Sequence, residues 1–218
     1  MELLSVTHDY DKGSADSFQL GPIDLSLGRG ELVFIAGGNG SGKTTLAKLL
    51  VGLYAPATGE VRLNGQPVGD WEQYRQFFSS VFTDAYLFDR LLGMSGTRLD
   101  DGARDYLTRL ELGQRVRVES GRFSTTDLSQ GQRKRLALLT AYLEDRPVYV
   151  FDEWAADQDP RFKEIFYTRL LPELKARGKA VLVISHDDQY FHVADRIVQL
   201  DYGKLQEQRK KYECICRS

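Results

Sequence analysis

The eight residues Gly37-Gly38-Asn39-Gly40-Ser41-Gly42-Lys43-Thr44 constrain this chain more than any other stretch. They fit the phosphate-wrapping pattern GxxxxGK[ST]. Glycines let backbone N–H groups turn inward around an anion. A helix that follows such a turn presents its positive N-terminus to the same charge. The flanks supply that context. Leu32-Val33-Phe34-Ile35-Ala36 is a short apolar run closed by Gly30 and Gly37, which reads as a buried strand. Leu46, Leu49, Leu50 and Leu53 then keep helical spacing. Strand, glycine turn and helix make Gly38, Asn39, Gly40, Ser41, Gly42, Lys43, Thr44 and the adjacent Thr45 candidate ligands of a nucleotide triphosphate, with ATP expected. Lys43 is expected to reach the β- and γ-phosphates, and the Thr44 hydroxyl to ligate Mg²⁺.

The rest of the chain is consistent with that start. Val148-Tyr149-Val150-Phe151 and Val181-Leu182-Val183-Ile184 read as further buried strands, and Ile197-Val198-Gln199-Leu200 as another. Phe162, Ile165, Phe166 and Leu170 keep a helical period up to Pro172, which should kink or stop that helix. Strands alternating with helices predict an α/β fold with a largely parallel sheet. Leu4-Ser5-Val6 and Ile23-Asp24-Leu25-Ser26-Leu27 alternate apolar and polar residues, as antiparallel edge strands do. Between about Arg90 and Gln114 no buried strand run occurs, and Tyr106, Leu107 and Leu110 predict an amphipathic helix. The expected organisation is one domain over 1–218. Residues 1–83 and 144–218 form the core with its β edge, and 84–143 an inserted helical sub-domain.

With 218 residues and 42% hydrophobic composition the chain can bury a core without covalent staples. Its 29 basic and 31 acidic side chains give a formal charge of −2, so no nucleic-acid partner held by bulk electrostatics is expected. No apolar run approaches the roughly 18 residues needed to span a bilayer. The start Met1-Glu2-Leu3-Leu4 is not that of a signal peptide. Cys214 and Cys216 read as reduced thiols.

A second cluster completes the site. The apolar run 148–151 ends in Asp152 and Glu153, which places both carboxylates at the C-terminal edge of the sheet, where open α/β sheets bind ligands. Asp152 is expected to hold Mg²⁺, and Glu153 to polarise an attacking water. His186 follows the strand that ends at Ile184-Ser185, and is expected at the same edge, near the γ-phosphate. His8 and His192 have no such placement.

Leu128-Ser129-Gln130-Gly131-Gln132, opening the helix that carries Leu136, Leu139 and Leu143, narrows the class. It resembles the LSGGQ signature of ABC ATPases, and the resemblance extends from about Val6 to Leu205. What it implies is an ABC ATPase fold that hydrolyses ATP. Tyr10 would be the aromatic that stacks on adenine, Asp159 the D-loop aspartate and His186 the switch histidine. In that family two such domains face head to tail on ATP, so Ser129, Gly131 and Gln132 would serve the nucleotide of a second copy. Three positions depart from the family pattern: Thr83 stands for the Q-loop glutamine, with Asp84 as a neighbouring candidate; Gln130 stands for a glycine; and Trp154 stands for the proline after the carboxylate pair.

Phe151-Asp152-Glu153-Trp154-Ala155-Ala156-Asp157-Gln158-Asp159-Pro160, with Gly37-Gly38-Asn39-Gly40 and Ser185-His186-Asp187-Asp188, is similar to bacterial exporters of cyclic peptides and siderophore precursors of the pyoverdine type. That resemblance implies a transmembrane domain fused N-terminally in the parent chain, which makes this chain an excised domain. It also implies a place at the cytoplasmic face of the inner membrane. The alternatives are an ABC ATPase subunit of another transporter, or a module that dimerises on ATP with little turnover.

Overall fold

The computed structural model describes residues 1–10, 18–83, 86–92 and 97–210. Cys214, Cys216 and Asp84 lie outside them. The chain opens with β1 (Glu2–Tyr10), β2 (Phe18–Ser26) and β3 (Leu32–Ala36), followed by α1 (Lys43–Leu50). Then come β4 (Thr58–Leu63), β5 (Gln66–Pro67), α2 (Trp71–Arg75) and β6 (Phe78–Val81). The middle of the chain carries α3 (Thr97–Arg109), the short hairpin β7 (Val118–Glu119) and β8 (Arg122–Phe123), and α4 (Gln130–Glu144). The last part holds β9 (Val148–Asp152), α5 (Pro160–Ile165), α6 (Leu171–Ala176), β10 (Ala180–Ile184), β11 (Arg196–Asp201) and β12 (Lys204–Lys210).

The main sheet has the order β12-β11-β3-β10-β9-β6, parallel throughout except for β12. Every residue of β3, β9 and β10 is buried. This explains why their sequences are continuous apolar runs rather than alternating ones: both faces of the sheet are covered. Alternation survives in where each side chain goes. Leu32, Phe34, Tyr149, Phe151, Val181 and Val183 enter the core shared with α4 and α5. Val33, Ile35, Val148, Val150, Leu182 and Ile184 enter the other, with α1 and the N-terminal strands. Those strands form a second, antiparallel sheet of order β2-β1-β4-β5.

Register places the site. Ile184 of β10 pairs with Ile35 of β3 on one side and Asp152 of β9 on the other. The three strands therefore end level, and their exits at Gly37, Glu153 and Ser185 share one edge.

Two expectations change in detail. The stretch between β6 and β9 is not helical alone: it carries the β7–β8 hairpin, and Arg90 bridges to Arg122. Two-residue strands are too short to give a hydrophobic period. Of the two outcomes expected at Pro172, a kink or a stop, the stop does not occur. The chain runs from α5 through a wide turn at Phe166–Leu170 into α6, with Pro172 in the first turn of α6. A widened turn and a first-turn position both tolerate the missing N–H. Among the described residues no helix is long and apolar enough to cross a membrane.

Candidate active site

The loop after β3 wraps around the Lys43 ammonium group, which donates to the carbonyls of Gly37 at 3.0 Å and Gly38 at 2.8 Å. Burial pushes the Lys43 pKa down, and the nearby charges of Glu153 and Asp152 oppose that shift. A further anionic group, such as a phosphate, would hold the ammonium form still more firmly. Gly37 is required by space. A Cβ there would sit 2.1 Å from the Leu200 carbonyl oxygen and 2.9 Å from Ser41 Oγ, at φ +154. Gly37→Ala is therefore expected to displace the loop from β11 and to weaken nucleotide binding at least tenfold, a loss of about 1.4 kcal/mol. Titration with a fluorescent ATP analogue measures it, and an unchanged Kd would contradict the reading.

The residues fit a magnesium–phosphate group. Ser41 Oγ is buried with no hydrogen-bond partner among the described residues, an arrangement that costs stability unless a ligand supplies one. Thr44 is exposed on the first turn of α1, while Asp152 is 1% exposed at the end of β9. Among the described residues no group of three or more His, Cys, Asp or Glu could hold a metal alone.

Glu153 adopts left-handed backbone at φ +49. Its N–H donates to the Ile184 carbonyl at 3.1 Å, which fixes it to the neighbouring strand. Its carboxylate Oε1 lies 3.1 Å from His186 Nε2. The carboxylate and histidine meet because β9 and β10 are adjacent and end level. The cleft beside them, about 290 Å³, is lined by Tyr10, Phe18, residues 39–45 and Glu153. Phe18 was not singled out from sequence. It pairs directly opposite Tyr10 across β1 and β2, a register that no local pattern reveals.

Ser129, Gly131 and Gln132 do not line this cleft. Ser129 caps α4, its hydroxyl accepting from the Gln132 N–H at 3.4 Å, while Gln132 Oε1 accepts from the Ser129 N–H at 3.2 Å. A Cβ on Gly131 would meet the Asp157 carbonyl oxygen at 2.8 Å, so glycine lets α4 approach the segment after β9. Asp159 caps α5 by accepting from the Phe162 N–H at 2.9 Å, and pairs with Arg135. That N–H, helped by Arg135, holds its carboxyl below the usual range. Thr83 donates its hydroxyl to the Asp152 carbonyl at 2.9 Å, tying the exit of β6 to the end of β9.

The chain matches the family described as ABC transporter over residues 20–156, more than half its length. It is 53% identical over 209 residues to the ATP-binding protein SyrD of Pseudomonas syringae pv. syringae, covering 93% of this chain and 37% of that protein. It is 35% identical over 211 residues to the ATP-dependent lipid A-core flippase of Alkalilimnicola ehrlichii, covering 88% of this chain and 35% of that one. The chain thus spans little more than a third of either relative. In three dimensions it resembles a solved dimeric ATP-binding cassette in a post-hydrolysis state bound to ADP and Pi. There the TM-score is 0.81 at 25% identity, with 96% of this chain and 98% of that chain covered. On sequence and fold together, the chain belongs to the ABC transporter family, as one of its ATPase domains.

Proposed function

We propose that this chain binds MgATP and hydrolyses it to power an exporter of a cyclic peptide or siderophore precursor, at the cytoplasmic face of a bacterial inner membrane. The observation that carries the hydrolytic part is the Glu153–His186 contact beside the Lys43 loop. In this reading Tyr10 stacks on adenine, with Phe18 beside it. The loop N–H groups, Ser41 and Lys43 hold the phosphates. Thr44 and Asp152 would hold Mg²⁺, which neutralises charge on the phosphate oxygens. Glu153 accepts the proton of a water whose oxygen attacks the γ-phosphorus, and the β–γ bridging oxygen leaves on ADP. His186 orients the Glu153 carboxylate and contacts the γ-phosphate. Lys43 meets the charge that develops on the transferred group.

A second copy, head to tail, would bring its Ser129, Gly131, Gln132 and Asp159 to the open side of this nucleotide. What supports the pairing is the separation of these residues from the chain's own cleft, together with the likeness to a dimeric cassette. Residues 84–143 would act as the sub-domain that carries the signature. An N-terminally fused transmembrane domain is the expected partner. The 151–160 segment with its Trp154, through its resemblance to exporters of cyclic peptides and siderophore precursors, favours such cargo over other substrates.

ATP turnover per molecule, measured against protein concentration, tests the pairing. A rise faster than linear is expected where a dimer is the active species. Turnover per molecule that is already maximal and constant across concentrations where the chain is monomeric would contradict it.

A further inference from the structure

A set of contacts runs from the signature helix α4 to the segment that follows β9. Lys134, 7% exposed, donates to the Glu153 carbonyl at 3.1 Å and pairs with Asp157 Oδ2 at 2.6 Å. Gln130 Nε2 donates to the same Asp157 oxygen at 3.1 Å. Trp154 Nε1 returns a bond to the Lys134 carbonyl at 2.9 Å, and Gln158 Nε2 donates to the Gly131 carbonyl at 3.0 Å. Within this frame sits Glu153, in the left-handed region that a non-glycine residue occupies only where its surroundings over-determine it. The peptide group before Glu153 is held by β10, through the bond to Ile184. The peptide group after it is held from α4 through Lys134, and within its own turn by the Ala156 N–H, which donates to the same Glu153 carbonyl at 3.2 Å.

We propose that Lys134 is a positioning residue for Glu153: by fixing the peptide group that follows, it sets the direction of the carboxylate from the signature helix. The proposal rests on the reading of Glu153 as the base. The contact is built for rigidity rather than for net stability. Lys134 is buried while Asp157 is 35% exposed, so the pair contributes little relative to an apolar contact, and losing Lys134 leaves a carboxylate that solvent compensates only in part. Removing Lys134 leaves Asp157 with Gln130 and leaves the Glu153 carbonyl without this donor. Neutralising Asp157 as well relieves the charge but does not restore the donor. Stability and positioning can therefore be separated.

Three variants, Lys134→Met, the double variant Lys134→Met with Asp157→Asn, and Glu153→Gln, are compared with the parent chain for thermal midpoint, kcat and KM. Lys134→Met is expected to lower the midpoint and to reduce kcat by about 10- to 100-fold, the loss that a small misplacement of a reacting group produces. KM for ATP should move less than about twofold, since uniform binding is untouched. The double variant is expected to recover the midpoint and not kcat. Recovery of both, or an undiminished kcat in Lys134→Met, overturns the proposal. If Glu153→Gln turns over ATP like the parent, the base assignment itself fails, which is a different outcome. Amide exchange at residues 153–157, read without nucleotide, decides the same point independently of turnover. It should quicken about tenfold in both Lys134 variants while β3 and β10 stay protected. Unchanged exchange there overturns the proposal.

Discussion

Glu153→Gln is expected to reduce ATP turnover by about 10²- to 10⁴-fold, the range that a general base contributes, while nucleotide affinity stays within a few-fold of the parent. The substitution is nearly isosteric, so the left-handed backbone and the bond to Ile184 remain. What disappears is an acceptor for the water's proton. The amide can still meet His186, so the 3.1 Å contact is not the property being tested; basicity is. A secondary consequence follows at Lys43, whose ammonium form Glu153 helps to favour. Without that charge the Lys43 pKa falls further, so ATP affinity in the variant should weaken at a lower pH than in the parent. Single-turnover hydrolysis and a binding titration across pH measure both effects. Turnover near the parent's level would remove Glu153 from the chemistry and leave His186 or an unassigned group as the candidate.

Trp154→Ala is expected to cost about 3–5 kcal/mol of folding stability, the usual range for emptying a buried tryptophan site. The ring is 1% exposed. It stacks on Phe166 with centroids 4.3 Å apart and lies 6.0 Å from Phe162, so it joins α4, α5 and the end of β9 into one core. Its N–H donates to the Lys134 carbonyl at 2.9 Å. Trp154→Phe keeps most of the apolar area and loses that bond, and should cost about 1–2 kcal/mol. Denaturant unfolding midpoints order the two variants. Equal losses would mean that the indole bond, not the packing, dominates. A loss under about 1 kcal/mol for alanine would mean that the site collapses around the deletion.

Trp154 also marks the limit of what could be read from the chain. In sequence it is only a departure at the position after Asp152-Glu153, with no local period to explain it. In the fold it fills the space between α4 and α5 and supports the segment that aims Glu153. Thr83 is similar. Its short side chain reads as a loss of reach, whereas the structure gives it a bond to the Asp152 carbonyl. Gln130, another departure, turns out to hold Asp157. Lys134 and Phe18 carried no signal at all. A lysine in an amphipathic helix and an aromatic at a strand start are both ordinary until register and packing show what they touch.

The sequence by itself determined the motifs of the candidate site and the main elements. A glycine-rich turn between an apolar run and a helical period is a local pattern, and so is a carboxylate pair that ends a buried strand. Local patterns are legible because backbone conformation and burial period act over a few residues. Only the tertiary structure decided what meets what. The level ends of β3, β9 and β10 bring Lys43, Glu153 and His186 to one edge, and close approach at Gly131 lets the signature helix reach the backbone of Glu153. Those contacts join residues far apart along the chain. Their geometry comes from strand order and from how the two cores fill, and neither is encoded in any short stretch of sequence.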